Sequence, residues 1–423
     1  MIKKTGNCEV SNLVSPIPEC RICANPLQHT FLDLGNSPLC ESFLEAHQLD
    51  AMEPYYPLKV MVCDKCFLVQ LREYVQPEEI FSDYAYYSSY STSWVAHSKA
   101  YCEMIARRLN LGKSSLVVEL ASNDGYLLQH FLPMNIPVLG VEPAANVAAV
   151  AQEKGIETVV DFFGQRLAQE LSVGRRQADL IIGNNVLAQV PDINDFVGGI
   201  KKLLKPAGLV TLEFPHLLQL MDQTQFDTIY HEHFSYFSLI TVDKLARRHE
   251  LSVVDVELLP THGGSLRVYL SHENGPFQQS DRVTDLLGEE QGRGLDQLGA
   301  YKGFGQSVEK VKRDLLSFLI HAREDGIKVC GYGAPGKGNT LLNYCGIGPD
   351  LIPFTVDRNP YKHGRFTPGR HIPIYPVEAI AEHRPDIVLI MPWNLRDEIA
   401  HQMRYIKDWG GKFAVAIPNL RVF

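Results

Sequence analysis

Two cysteine pairs, Cys20-x2-Cys23 and Cys63-x2-Cys66, constrain the start of this chain more tightly than any other feature. Two tight thiolate knuckles can close on one ion from opposite ends of the loop-rich segment 24–62, and four sulfurs fill a tetrahedral zinc shell. Such a site leaves no position for water or substrate, so it is expected to stabilise the fold and to do no chemistry. Pro26, Pro38, Pro54 and Pro57 fall within the segment, which suits a small irregular module with too little core to stand without a staple. The chain has nine cysteines in all, and close pairs in an intracellular protein point to metal before disulfides. Cys8 and Cys40 lack knuckle spacing and are left out of the ligand set.

The remaining length, out of 423 residues, exceeds one typical domain of ~100–200 residues. Residues 1–80 are expected to form the zinc-binding module, 81–278 a cofactor domain and 279–423 a C-terminal α/β domain. The formal charge is −9, from 40 Lys and Arg against 49 Asp and Glu. No positive excess exists to hold a nucleic-acid backbone or an anionic membrane. No apolar run approaches the ~20 residues that span a bilayer, and the polar start lacks a signal-peptide layout. A cytoplasmic protein, a monomer or weak dimer, is the expectation.

A tyrosine-rich segment (Tyr84, Tyr86, Tyr87, Tyr90) and a helical stretch over about 94–109 precede a β/α alternation. Strands are predicted at 115–120, 138–141, 158–160, 178–183 and 209–214. Alternation of this kind gives a parallel, Rossmann-like sheet that binds ligands where loops leave the carboxyl ends of its strands. The first such loop is Glu119-Leu-Ala-Ser122-Asn123-Asp124-Gly125, where glycine allows a turn tight enough for a ligand to approach the backbone. The second strand ends at Glu142, whose carboxylate can accept from both hydroxyls of a ribose. The fourth ends in Asn184-Asn185, amides that either line a pocket or cap the next helix. The loop lacks the G-x-G-x-x-G series that a pyrophosphate requires, so an adenosyl cofactor without phosphate fits better than a dinucleotide.

The run Tyr230-His231-Glu232-His233-Phe234-Ser235-Tyr236 concentrates titratable groups beyond what packing asks. One His-x-His pair supplies two metal ligands where a catalytic zinc uses three, so proton transfer is the more natural role. In an extended segment His231 and His233 would share one face and Glu232 the other. Thr261-His262-Gly263-Gly264 reads either as a turn closing over the same site or as a plain hairpin. Farther on, Gly331-Tyr-Gly333-Ala-Pro-Gly336-Lys337-Gly-Asn339 runs from a strand into a helix. Its amides can cradle a phosphate and Lys337 adds charge. Asp357 lies close to the separation of ~20 residues used by dinucleotide fingerprints, so an NAD-linked sugar oxidoreductase remains a competing reading, as does a noncatalytic scaffold.

Together these segments, with His-Gly-Gly-Ser-Leu-Arg-Val at 262–268 and Asn-Thr-Leu-Leu-Asn-Tyr at 339–344, resemble the sugar C-3'-methyltransferases of deoxysugar biosynthesis. The resemblance runs along nearly the whole chain. It implies an S-adenosylmethionine-dependent enzyme with a central class I methyltransferase domain and a nucleotide-linked 4-keto-deoxysugar, such as a TDP-sugar, between the middle and C-terminal domains. It assigns base or acid work to His233 and Glu232, with Tyr230 nearby. Cofactor contacts are then expected from Glu119, Ser122, Asn123, Asp124, Gly125, Glu142 and Asn184. Substrate contacts are expected from Tyr84, Tyr87, Asn185, Gln189, Lys337 and Asn339. Where the family usually has histidine, this chain has Gln189, which can hydrogen-bond a sugar but cannot move a proton at neutral pH. Methylation of oxygen or nitrogen is the remaining alternative within the same cofactor class.

Overall fold

The computed structural model describes residues 17–76, 87–174 and 176–423; the expectations placed on Tyr84 and Tyr86 lie outside these. After the first cysteine pair, β1 (His29–Ser37) runs antiparallel to β2 (Tyr56–Val62), and β2 to β3 (Val69–Leu71). Leu58, Val60 and Val62 are buried at every second position of β2, as the period-two geometry of a strand with one covered face requires. That face packs on the long helix Phe304–Glu324, where Phe31 and Phe304 stack with ring centroids 4.9 Å apart. The helix presents Val308, Val311, Leu315, Leu319 and Ala322 along one stripe, the helical spacing of a single buried face.

The second sheet takes the β/α alternation. Its strands are β4 (Val117–Leu120), β5 (Val138–Val141), β6 (Thr158–Val159), β7 (Ala178–Asn184) and β8 (Leu204–Pro215). The short β9 (Ser235–Tyr236) leaves this sheet and pairs with β3, while β10 (Leu251–Leu259) and β11 (Ser265–His272) return as an antiparallel hairpin. The resulting order is β10-β11-β8-β7-β4-β5-β6. The connections run outward from β4 to β6 and then cross to β7, so the topological switch point lies between β4 and β7. The carboxyl ends there carry the loops 121–125 and 185–189, where such sheets bind ligands.

The third sheet repeats the device. β12 (Val329–Tyr332), β13 (Thr355–Val356), β14 (Ile374–Tyr375), β15 (Ile387–Ile390), β16 (Lys412–Val415) and β17 (Arg421–Val422) take the order β14-β13-β12-β15-β16-β17. Its switch point lies between β12 and β15, beside the glycine loop 333–336. Gly333 has φ +87° there, and a Cβ would come within 2.6 Å of Pro392, so no other residue fits this turn without displacing its neighbour. No helix among the described residues is long and apolar enough to cross a membrane.

Candidate active site

The four-cysteine module holds the run 230–236 in place. Cys20, Cys23, Cys63 and Cys66 place their sulfurs within 4.8 Å of one another, with Cys20 and Cys66 at 3.4 Å and Cys23 and Cys63 at 3.6 Å. A tetrahedron built on Zn–S bonds of about 2.3 Å has edges of roughly 3.8 Å, so the thiolate set fits zinc. The knuckles are near-copies. Ala24 N–H donates to Cys20 C=O and Phe67 N–H to Cys63 C=O, and Ala24 and Phe67 share the left-handed conformation. Lys65 N–H and the Gln70 amide point at the Cys63 and Cys20 sulfurs, the outer contacts that orient metal ligands. The staple reaches the run directly: Leu71 N–H and the Arg21 guanidinium both donate to Phe234 C=O.

The opposite end of the run is held by the C-terminal unit. Trp393 Nε1–H donates to the Asp227 carboxylate at 2.7 Å, and Thr340 Oγ1–H to Ile229 C=O at 3.0 Å. Between these anchors the chain does not extend. A turn closed by His233 N–H on Tyr230 C=O breaks the alternation, so His233 and Glu232 both face one cleft together with Tyr230. His231 turns away, is buried, and donates from Nε2 to Pro57 C=O of β2. The expected sharing of a face by His231 and His233 therefore fails, because a turn has no period of two.

One hydrogen bond orients the His233 ring. Its Nδ1–H donates to Thr228 C=O at 3.0 Å, which fixes the tautomer and leaves Nε2 as the basic atom. Its ring packs on Tyr230 with centroids 4.1 Å apart. Burial lowers its pKa to about 4, so the ring is neutral at pH 7. Glu232 is 6% exposed and accepts the Cys40 Sγ–H at 3.5 Å.

The cleft has a volume of about 1090 Å³ and is walled by both switch points. From the second sheet come Asn123, Tyr126, Glu142, Asn184, Asn185 and Gln189; from the third, Gly333, Gly336, Lys337 and Asp357; Tyr87 closes one side. Glu142 is pinned, its two oxygens accepting the Asn123 and Ala144 amides at 2.9 Å each. Each oxygen keeps a lone pair that a ribose hydroxyl could use. Glu119 is wholly buried, and neither of its oxygens nor the Ser122 hydroxyl has a hydrogen-bond partner among the described residues. Burial pushes the Glu119 pKa well above the carboxylic range. Neither Glu119 nor Ser122 lines the cleft; Glu119 lies behind it with the Tyr126 hydroxyl as its neighbour, and a cationic amino group of a cofactor at the switch point would favour its charged form.

Several expected contacts are placed elsewhere. Asp124 does not line the cleft: its carboxylate accepts Ser89 N–H at 3.3 Å and lies 3.6 Å from Lys154 Nζ, tying the tyrosine segment to the sheet. Gly125 has φ +74°, but a Cβ there would meet Ile156 at 2.4 Å. It packs against Ile156 and Ala151, while Ala121 and Asn123 line the cleft. Asn339 is 1% exposed and donates to Cys40 C=O at 2.6 Å, which clasps the third sheet to the zinc module. Lys337 does reach the cleft, donating to Asn394 at 2.8 Å over the Trp393 ring. Among residues the sequence reading left without a role, Tyr126, His262, Glu41 and Lys362 also line it. The histidine before a glycine pair was the one available signal for His262.

Behind the cleft, Glu213 at the end of β8 collects His97 at 3.0 Å, Arg267 at 2.7 Å and Thr261 at 2.9 Å. Burial alone would raise its pKa, but the His97 hydrogen bond and the Arg267 charge prevail and hold it down to about 2. This network, centred on the buried Glu213 and Arg267, fixes the turn that carries His262.

A mostly parallel sheet with its switch point on the cleft, joined to a four-cysteine module, is the architecture of this S-adenosylmethionine-dependent methyltransferase, and the chain belongs to the C-methyltransferase family. Family models match over 20–81 (a zinc binding domain), 94–256 (a methyltransferase domain) and 260–418 (a C-methyltransferase C-terminal domain). The chain is 36% identical over 413 residues to the C-methyltransferase NovU of Streptomyces niveus, covering 98% of each. Among solved structures, it aligns with magnesium protoporphyrin IX methyltransferase of Synechocystis PCC 6803 with bound SAM, at 15% identity over 46% of this chain and 88% of that one, TM-score 0.33. It also aligns with an S-adenosylmethionine-dependent methyltransferase of Clostridium acetobutylicum, at 11% identity over 41% and 90%, TM-score 0.33.

Proposed function

We propose that the methyl acceptor is C3 of a nucleotide-linked 4-keto-deoxysugar, and that the enzyme serves deoxysugar biosynthesis in the cytoplasm. The observation that carries this reading is His233, a neutral base whose Nδ1–H is held by Thr228 C=O, on a cleft shared by the switch point of the second sheet and Lys337 of the third. Carbon methylation needs a nucleophilic carbon, and a ketone at C4 acidifies the C3 proton.

His233 Nε2 takes that proton, the C3–H electron pair becomes the C3=C4 double bond, and the carbonyl pair moves onto oxygen. Tyr230 is the candidate donor to this oxygen. S-adenosylmethionine, when bound, supplies a methyl carbon with a neutral thioether as leaving group. Once C3 carries the methyl group, His233 would release its proton to solvent. Glu142, Asn184 and Glu119 would hold the ribose and amino-acid ends of the cofactor. The loop amides expected to cradle phosphate are spent within the protein, Gly333 N–H on Val356 C=O and Ala334 N–H on the Asp357 carboxylate, so Lys337 is the group that would meet the nucleotide's phosphates; residues 279–423 would then serve the substrate and 81–278 the cofactor. Gln189 and Asn185 are placed to hydrogen-bond the sugar.

Incubating the enzyme with a TDP-4-keto-6-deoxyhexose in deuterium oxide tests the reading. Deuterium should enter at C3 with the wild type and be lost by roughly 10²–10⁴-fold in His233→Asn, the span general bases contribute. Exchange that survives the substitution removes His233 from the role.

A further inference from the structure

A base whose pKa is near 4 draws a carbon acid's proton only if the enolate is strongly stabilised, and one phenol is little for that task. The geometry points to His262 as a second, neutral donor to the enolate oxygen, oriented by Asn185; this rests on the enolate reading above.

Three observations carry it. First, His262 lines the same cleft as His233 and Tyr230 although it arrives from the β10–β11 turn, outside the catalytic run. Second, its tautomer is dictated. Asn185 Nδ2 lies 3.1 Å from His262 Nε2, and an amide nitrogen has only hydrogens to give, so Nε2 accepts and the proton of the neutral ring sits on Nδ1. Nδ1 makes no hydrogen bond among the described residues, so its N–H is available to a ligand. Third, the chain holds this residue in unfavourable backbone. His262 has φ +54° and Asn185 φ +57°, a left-handed region that costs a branched-ring residue energy and persists only where surroundings enforce it.

The enforcement is visible on each side of the turn. Thr261 Oγ1–H donates to buried Glu213, Gln225 Nε2–H to Gly263 C=O at 2.7 Å, and a Cβ on Gly263 would strike Trp393 at 2.4 Å. The Trp94 ring meets His262 edge-on at 5.0 Å. Burial lowers the pKa of His262 to about 4, so its ring stays neutral when it donates, as suits a hydrogen-bond electrophile that must not lose its proton to the enolate. In the step, the C3–H bond breaks, its proton goes to His233 Nε2, and the charge gathering on the C4 oxygen is met by His262 Nδ1–H and Tyr230 O–H. No proton leaves His262.

The test measures C3 deuterium exchange and methyl transfer in His262→Ala and His262→Gln, with cofactor affinity by calorimetry. Loss of one oxyanion donor lowers both rates by roughly 10²–10³-fold, with affinity for S-adenosylmethionine within about threefold of wild type, the tolerance we set for an intact cofactor site. Histidine-selective ¹⁵N NMR of the wild-type protein, with His262→Gln used for assignment, should show Nε2 unprotonated and Nδ1 protonated at pH 7. Asn185→Asp, which makes the partner an acceptor, should reverse that tautomer and slow exchange. Near-wild-type exchange in both His262 variants, or an Nε2–H tautomer in the wild type, overturns the assignment while leaving His233 as base. Absence of exchange in the wild type itself overturns the enolate reading and this inference with it.

Discussion

Replacing Glu213 by glutamine should destabilise the protein by about 2–4 kcal/mol while barely changing its shape. The side chain is wholly buried and carries its charge against Arg267 Nη2 at 2.7 Å. Its pKa is held from an ordinary 4.5 down to about 2, which at 1.36 kcal/mol per pKa unit is a preference for the charged form of about 3 kcal/mol. Glutamine keeps an acceptor for Thr261 but turns an amide toward a guanidinium that is itself 5% exposed. Glu257 still pairs with Arg267 at 2.9 Å, which keeps the loss below the upper limit of about 5 kcal/mol for stranding a buried charge. At 2–4 °C per kcal/mol for larger domains, the first thermal transition should fall by roughly 5–15 °C by differential scanning fluorimetry. The pH dependence gives a sign check. Because the folded pKa is depressed, the stabilisation is present above 4.5 and is lost as pH falls through about 2, so the gap between wild type and variant is full at pH 7 and closes toward pH 2. An unchanged transition at pH 7, or a gap that widens with acid, would refute the reasoning.

Three further outcomes follow from the same geometry. Purified protein should carry one zinc per chain by metal analysis, and Cys63→Ser should lose it together with activity, since the staple holds Phe234 next to the base; retention of full activity without zinc would separate the module from the site. Glu142→Gln should weaken S-adenosylmethionine binding by roughly 10- to 100-fold in calorimetry, the effect of losing hydrogen bonds to a charged acceptor of about 1.5–3 kcal/mol, and should leave the fold intact by circular dichroism. The acid limb of the kcat/KM profile should lie below 6.5 and near 4, because burial depresses His233 and His262 and their neutral forms are the active ones; activity is full at pH 7 and falls as pH drops through that value, and a limb at or above 6.5 would contradict the burial of the base.

Features set by local spacing were legible in the sequence. The cysteine knuckles could be read because tetrahedral zinc demands two tight turns, and the strands of the middle sheet because buried parallel strands write short apolar runs ending in polar loops. Which loop residues face the ligand was less legible, since that depends on how the sheet's neighbours pack. Asp124 turned to Lys154 and Gly125 to Ile156, while Asn123 between Ser122 and Asp124 faces the cleft. The run 230–236 misled for a local reason: Tyr-His-Glu-His looks extended, but a turn closed by His233 N–H on Tyr230 C=O puts Glu232 and His233 on the same cleft. Asn339, expected at the substrate, instead clasps Cys40 C=O, and for His262 the sequence left a closing turn and a plain hairpin open, because contacts across a boundary between sheets leave no local pattern.

The central claim is transfer of a methyl group to carbon, and the product's carbon skeleton tests it most directly. Incubation with S-adenosylmethionine bearing a ¹³C-methyl group and a TDP-4-keto-6-deoxyhexose, followed by NMR of the nucleotide-sugar, should show the label bonded to C3, with one-bond carbon–carbon coupling in C3-labelled substrate. Label bonded to oxygen or nitrogen would contradict the account.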